Sequence, residues 1–234
     1  MNLNKVEELF HELWVTYGES VEIEKKLLIT DNSILIDEFF FILLGGFGIS
    51  YELNKSGLEI VKSKGLLNRE LYTDNWCTLA ENLIREEFSI KQFEPITKSN
   101  EHRKYRFIEG KPTVIASAGN WLYNESNWNL NDLLNKHGMK SREKLCECPG
   151  IGMKSASWFL RNVGYNDNYA VFDVHILRFI ARIGIDVPNV ISERVYIYLE
   201  DILRDVCNKI GVSLGKMDYL LWILGRNGYL EYVR

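Results

Sequence analysis

The helical spacing of the apolar residues is the feature that most constrains the fold of this 234-residue chain. These residues recur every three or four positions, and glycines such as Gly18 and Gly138 close periodic segments, which is typical of amphipathic α-helices. Only two short segments, 21–29 and 187–191, carry weak strand signals. We therefore expect an all-α protein, with helices over 6–17, 34–44, 51–61, 76–88, 112–122, 130–137, 141–147, 154–163, 174–182, 191–210 and 217–225.

Composition favours an intracellular globular protein. Hydrophobic residues make up 46% of the chain, and no apolar run approaches the ~20 residues that span a bilayer. The N-terminal segment lacks the shape of a signal peptide. We expect a reducing compartment, namely the cytoplasm with its nucleoid if the source is prokaryotic. The reason is that the four cysteines show neither metal-ligand spacing nor disulfide density: Cys77, Cys146, Cys148 and Cys207.

Charge is distributed unevenly along the chain. The net charge is −4, but residues 1–97 hold 9 Lys and Arg against 17 Asp and Glu, whereas residues 98–234 hold 19 against 15. A protein that binds phosphates needs only a local positive field. The positive net charge of residues 98–234 is therefore compatible with nucleic-acid binding, and equally with an ordinary solvated surface. Basic residues surround the rings of Tyr105 and Phe107 in sequence: Lys98, Arg103, Lys104, Arg106 and Lys111. Such a stretch can contact nucleic acid, but a solvated loop would have the same composition.

The most informative pattern is the segment Cys148-Pro149-Gly150-Ile151-Gly152-Met153-Lys154. Two glycines that flank one apolar residue predict a tight hairpin, with Ile151 buried and backbone N–H groups directed outward. A helix that begins near Met153 adds free N-terminal amides, and such amides form an anion site that suits a DNA phosphate. We expect Ser141 to cap the preceding helix and Gly164 to end the following one.

Two charged residues stand at helix starts in this region. Lys154 falls in the first turn of the helix after the hairpin, and Asp173 precedes the helix predicted over 174–182, where it is an N-cap candidate. Taken singly, the lysine fits an exposed surface position and the aspartate fits a cap without further function. Because both residues follow a glycine hairpin, their occurrence together indicates a catalytic role as well.

These residues resemble the helix-hairpin-helix GPD superfamily of DNA glycosylases. The matching segments are 145–154 and 171–175, and the spacing of nineteen between Lys154 and Asp173 is that of the lyase-active members. Segments 157–164 and 173–178 are most similar to the compact bacterial and archaeal 8-oxoguanine DNA glycosylases/AP lyases. The resemblance implies two helical subdomains flanking an active-site cleft, one formed by 1–50 plus 155–234 and the other by 51–154.

The resemblance also implies a reaction. Cleavage of an N-glycosidic bond builds positive charge on the deoxyribose, which the Asp173 carboxylate would stabilise. The amine of Lys154, kept neutral by the helix N-terminus and by partial burial, would attack C1′ and form a Schiff base, which permits β-elimination. The implied protein is a monomeric, bifunctional DNA N-glycosylase/AP lyase that removes an oxidised purine, 8-oxoguanine, from double-stranded damaged DNA and involves no membrane.

Further DNA-contacting residues follow from the same resemblance. Gly150, Gly152 and His175 would meet the phosphate backbone. Where many members carry Asn or Gln, this chain has Gly45-Gly46-Phe47-Gly48, so Phe47 would act as an apolar wedge between bases. Trp158 would stack on the flipped base.

The resemblance also implies two backbone sites. The carboxylate of Arg234, or the backbone beside it, would help bind the base. A structural K+ or Na+ would be held by backbone carbonyls of the hairpin, those of Cys146, Cys148 and Ile151, and no other cofactor is expected.

Two other functions stay open at this point. One is a lyase-active glycosylase for oxidised pyrimidines, which the sequence disfavours because a related branch carries four clustered cysteines after the catalytic aspartate and only Cys207 follows Asp173. The other is a non-catalytic helix-hairpin-helix DNA-binding module, which would explain the glycines but not the register of Lys154 and Asp173.

Overall fold

The computed structural model describes residues 3–19, 28–46 and 48–232, and in these residues the regular structure is helical. The expected all-α class is therefore confirmed. The α-helices, numbered in chain order, are α1 Leu3–Tyr17, α2 Asn32–Leu44, α3 Tyr51–Ser63, α4 Cys77–Ser89, α5 Gly110–Ser126, α6 Leu130–His137, α7 Ser141–Cys146, α8 Met153–Asn162, α9 Val174–Arg182, α10 Glu193–Lys209 and α11 Leu214–Arg226.

The chain divides into two compact units. Unit 1 consists of Met1–Leu28 and Met153–Arg234, and unit 2 consists of Ile29–Gly152. The later boundary falls close to the expected one at 154, but the earlier boundary lies well before residue 50. The reason is that α2 packs against α3, α5 and α6, so its apolar residues complete the core of unit 2.

Unit 2 has an aromatic core. The Tyr72 ring stacks on Trp128 with a centroid separation of 4.8 Å, and Phe40 packs on both rings at 5.7 and 5.5 Å. The backbone of α5 approaches the Tyr72 ring so closely at Gly119 that a Cβ atom there would lie 2.1 Å from Tyr72 Cδ1. A glycine in mid-helix is normally destabilising, so its presence here is explained by the packing of this ring.

Unit 1 is a helical bundle around a second core. Helix α1 packs on α10 and α11, and α9 packs on α11. Phe10 and Phe179 stack at 6.3 Å between ring centroids. At Gly225 a Cβ atom would lie 2.8 Å from His175 Cβ, so this glycine allows α11 to approach the first turn of α9 closely.

Two local expectations have different outcomes. Gly164 follows α8 with a φ of +71°, in the left-handed region that favours glycine, as expected for a helix end. Ser141, in contrast, is not the cap of α7 but its first residue, and Lys140 holds the N-cap position. The Ser141 hydroxyl is buried and donates to the carbonyls of Leu134 and Gly138, at 3.1 and 2.7 Å, so it ties α7 to the turn before it.

The weak strand signals do not produce a sheet in the described part of the chain. Most of the segment 21–29 lies outside the described residues, and 187–191 is an irregular connection before α10. Elsewhere in the described residues, an isolated antiparallel bridge pairs Phe93 with Arg103. Among the helices of the described residues, none has the length and apolarity required to cross a lipid bilayer.

Candidate active site

The hairpin forms between α7 and α8 as the sequence predicts. The backbone N–H of Ile151 donates to the carbonyl of Cys148 at 3.1 Å, and the Ile151 side chain is buried. Gly150 has a φ of +83°, and a Cβ atom at this position would lie 2.3 Å from Val114 Cγ1. Space around Gly152 is open, so this residue leaves its backbone uncovered for an approaching group.

Lys154 is the second residue of α8 and lies two residues after Gly152 of the hairpin. The buried face of this helix consists of the residues expected to point inward, including Ala156, Phe159 and Leu160. Lys154 lies on the other side and is exposed, so the expected partial burial of its amine is wrong. Its expected place in the first turn of α8 is confirmed.

Asp173 caps α9. Its backbone is extended, with φ −91° and ψ 178°, and its Oδ1 atom accepts from the backbone N–H groups of His175 and Ile176, each at 2.9 Å. Both hydrogen bonds use Oδ1, and within the described residues Oδ2 has no hydrogen-bond donor. The side chain is half-exposed, so one carboxylate oxygen fixes the orientation and the other is available to a substrate. Asp173 and Lys154 both belong to unit 1.

Of the other residues expected to contact DNA or the base, two lie in the described part of unit 1. His175 is exposed on the first turn of α9, two residues after the cap, and Trp158 is half-buried on α8, one turn beyond Lys154. Phe47 and Arg234 lie outside the described residues. The segment before Arg234 is anchored, because Leu230 is buried and the Arg182 guanidinium donates to its carbonyl.

The hairpin offers backbone oxygen rather than thiolate as a ligand for an ion. Burial raises the pKa of the Cys148 thiol, which keeps it protonated, and the described residues contain no group of three His, Cys, Asp or Glu side chains placed to hold a metal. The backbone carbonyls of Cys146, Cys148 and Ile151 are hard oxygen donors. The Cys148 carbonyl already accepts one hydrogen bond from Ile151 and retains a second lone pair.

Residues 70–212 match the family model described as 8-oxoguanine DNA glycosylase, and this region contains the hairpin, Lys154 and Asp173. The chain belongs to the 8-oxoguanine DNA glycosylase family. A relative from Saccharolobus solfataricus, named 8-oxoguanine DNA glycosylase/AP lyase, is 39% identical over 122 residues, which cover 51% of this chain. The alignment spans 58% of that relative, so the chain matches little more than half of its length.

Solved structures of the family share the fold. The 8-oxoguanine DNA glycosylase of Thermotoga maritima superposes with a TM-score of 0.65 at 27% identity, covering 95% of this chain and 97% of that one. The Methanocaldococcus jannaschii 8-oxoguanine glycosylase/lyase, solved with a 15-mer DNA containing 8-oxoguanine, superposes with a TM-score of 0.66 at 23% identity. Coverage is 96% of this chain and 98% of that one. These likenesses confirm the helix-hairpin-helix fold expected for the family.

The basic and aromatic stretch of this family member is partly structural. Tyr105 is buried and its hydroxyl donates to the Leu44 carbonyl at 3.0 Å, while Arg106 donates to the Gly48 carbonyl at 3.2 Å. Lys111 Nζ donates to the carbonyls of Leu43 and Gly45, and burial lowers its pKa to about 8. These side chains therefore satisfy the C-terminal carbonyls of α2 and the loop beside it.

Three functional candidates are not anticipated by the sequence reasoning. Glu200, Asp218 and Tyr196 are buried side chains of α10 and α11 that bond to the backbone just before Asp173. A signal exists in the sequence, because an apolar residue three positions later shares the helix face of each acid, Leu203 after Glu200 and Leu221 after Asp218. Carboxylates are almost never fully buried without partners, so an acid on an apolar face indicates buried hydrogen bonds.

Proposed function

We propose that this protein is a base-excision-repair DNA glycosylase with AP-lyase activity that removes 8-oxoguanine. The observation that supports it most is the register of Lys154 and Asp173, nineteen residues apart at the starts of α8 and α9, inside the region that matches the family. A hairpin alone would suit a non-catalytic module. A half-exposed carboxylate with one oxygen held by two amides, in the same unit as a first-turn lysine, suits catalysis at a deoxyribose.

In this mechanism the two side chains have separate tasks. Asp173 stabilises the positive charge that develops on the sugar as the N-glycosidic bond breaks, and its fixed Oδ1 reduces the reorganisation needed. The neutral amine of Lys154 attacks C1′ as the N-glycosidic bond breaks, and the base departs with the bonding electrons and one amine proton. The C1′–O4′ bond then opens, the second amine proton passes to O4′, and a Schiff base remains between Nζ and C1′. Loss of a C2′ proton then expels the 3′ phosphate, which is the strand scission of an AP lyase.

The proposed partner is double-stranded damaged DNA, bound by a monomer, in the cytoplasm with its nucleoid if the source is prokaryotic. The exposed backbone at Gly152 would meet a phosphate, and the N-terminal amides of α8 suit an anion as well. The exposed His175 would also contact the DNA backbone. Trp158 would stack on the extruded base, and Phe47 would fill the space that the base leaves.

We further propose that the hairpin carbonyls of Cys146, Cys148 and Ile151 hold a K+ or Na+ ion when DNA is bound. The ion would supply a positive charge for the DNA phosphate. The Ile151 side chain, being buried, fixes the hairpin backbone that carries these carbonyls. Replacement of K+ by tetramethylammonium at constant ionic strength should weaken DNA affinity if the site is used.

Duplexes that each carry one defined lesion test the proposed function. Excision of 8-oxoguanine followed by cleavage of the strand at that position supports it. Selective excision of an oxidised pyrimidine instead would favour the alternative lesion class. Binding to all duplexes without excision, and without incision at a preformed abasic site, would indicate a non-catalytic module.

A further inference from the structure

Buried side chains hold the segment 170–172, which immediately precedes Asp173. Each of its three backbone N–H groups donates to a different side chain: Ala170 to Glu200 Oε1 at 2.9 Å, Val171 to Asp218 Oδ1 at 2.9 Å, and Phe172 to Tyr196 Oη at 3.3 Å. The Tyr196 hydroxyl donates in turn to the Ala170 carbonyl at 2.7 Å. We call Glu200, Asp218 and Tyr196 the amide clamp.

Two members of the amide clamp are carboxylates withdrawn from water. Glu200 is 0% exposed and Asp218 is 2% exposed. Burial of a carboxylate is costly unless it is paired and hydrogen-bonded, and each has an arginine partner, Arg204 for Glu200 and Arg161 for Asp218. Bonds from amides to ionised acceptors are stronger than neutral ones, so this segment is held more firmly than an ordinary loop.

The amide clamp also reaches the helix that carries Lys154. Arg161, which pairs with Asp218, lies on α8, and so does Ser157, whose hydroxyl hydrogen-bonds with Tyr196. Both are in unit 1 with the clamp. One buried network therefore connects α8 with the segment that leads into Asp173.

We propose that the amide clamp positions the Asp173 carboxylate for base excision. Glu200, Asp218 and Tyr196 are positioning residues, since they act through the backbone of 170–172 and do not touch the substrate. The cap of α9 fixes Oδ1 relative to that helix, and the clamp fixes the backbone from which the side chain departs. This inference rests on the proposed function, because it assigns a task to Asp173 in excision.

A pair of matched variants at Glu200 tests the proposal. Glu200→Gln and Glu200→Met both remove the charge, but only glutamine keeps an oxygen that can accept from Ala170. We expect Glu200→Gln to keep most of the parent excision rate. Glu200→Met should be slower by on the order of 10- to 100-fold, since a misplacement of about 1 Å can cost that much.

Tyr196→Phe and Val206→Ala complete the set. Tyr196→Phe removes only the hydroxyl oxygen and keeps the ring, so it still tests the clamp if a Glu200 variant does not fold. Val206→Ala removes buried apolar atoms from the same helix, α10, without touching the clamp bonds, and serves as the control for lost stability. All proteins are assayed below their unfolding temperatures.

The readout separates positioning from folding and from DNA affinity. Excision of one 8-oxoguanine in a duplex is followed under single-turnover conditions with enzyme in excess, and affinity for the undamaged duplex is measured in parallel. We expect Glu200→Met and Tyr196→Phe to lose rate with unchanged affinity, and Val206→Ala to keep both. In the parent, the amides of 170–172 should exchange with solvent deuterium as slowly as those inside α10.

Each contrary outcome is distinct. If Glu200→Met excises as fast as Glu200→Gln, or if the amides of 170–172 exchange as fast as the amide of the exposed Val190, the amide clamp does not position Asp173. If the parent excises nothing, the proposed function itself has failed. Asp173→Asn in the same assay separates these cases, since its loss of excision confirms that the carboxylate is required.

Discussion

Asp218→Asn should change how the stability of the folded protein depends on pH. Burial raises the pKa of Asp218 from 3.8 to about 6, against the opposing attraction of Arg161 and with a smaller repulsion from Asp173. A raised pKa means that the folded state binds this proton more tightly than the unfolded chain does. The ionised carboxylate therefore lowers stability as pH rises from about 4 to about 6, and its full cost is present above that range.

The magnitude follows from the shift. About two pKa units, at ~1.4 kcal/mol per unit, correspond to ~3 kcal/mol. Asparagine at 218 keeps an acceptor for Val171 and has no charge to lose. The stability of Asp218→Asn relative to the parent should therefore rise by up to ~3 kcal/mol between pH 4 and pH 7. Urea unfolding followed by circular dichroism across this range measures the difference.

Asp205→Asn is the matched control, since it removes an exposed carboxylate from α10. A stability difference between Asp218→Asn and the parent that stays constant from pH 4 to pH 7 would refute the reasoning. A difference that falls with rising pH would show that the ion pair with Arg161 outweighs burial.

Three further predictions concern the cap, the hairpin and the DNA contact. Asp173→Asn should lose several kcal/mol of transition-state stabilisation for excision while it keeps its fold, because asparagine caps helices as well as aspartate; single-turnover excision and thermal unfolding measure the two effects. Gly150→Ala should lower the free energy of unfolding by about 1–3 kcal/mol, because it forces a side chain into positive φ beside Val114. Gly152→Ala should leave the unfolding temperature near that of the parent, because the space around Gly152 is open, and should weaken DNA binding. Affinity for undamaged DNA should fall with salt, with a slope of about −0.9 per phosphate contact, and a flat titration would contradict phosphate binding.

Local signals in the sequence were enough to predict much of the site. The glycines of the hairpin, the burial of Ile151 and the capping role of Asp173 each depend on a few neighbouring residues, and the structure has all three. The prediction for Ser141 is wrong because a serine at the cap and a serine in the first turn give the same sequence pattern. In the structure its buried hydroxyl donates to carbonyls of the preceding turn.

Long-range hydrogen bonds account for what the sequence could not predict. Asp218 lies 47 residues from Val171, and Lys111 lies 68 residues from Leu43, so neither pairing leaves a local pattern. For the same reason the stretch around Tyr105 could be assigned to nucleic acid or to solvent. In the structure the side chains of Tyr105 and Lys111 bond to carbonyls at the end of α2, whereas Lys104 and Phe107 are exposed.

The most direct test of the catalytic account is borohydride trapping of the covalent intermediate. Incubation of the parent with a duplex containing 8-oxoguanine, followed by reduction, should produce a stable protein–DNA adduct, because borohydride reduces the Schiff base on Lys154. Lys154→Gln should give no adduct and should still bind the duplex, while Lys55→Gln, which removes an exposed lysine from α3, should give the adduct at the parent level. Undiminished trapping in a folded Lys154→Gln protein would contradict the account, since the nucleophile would then be another amine.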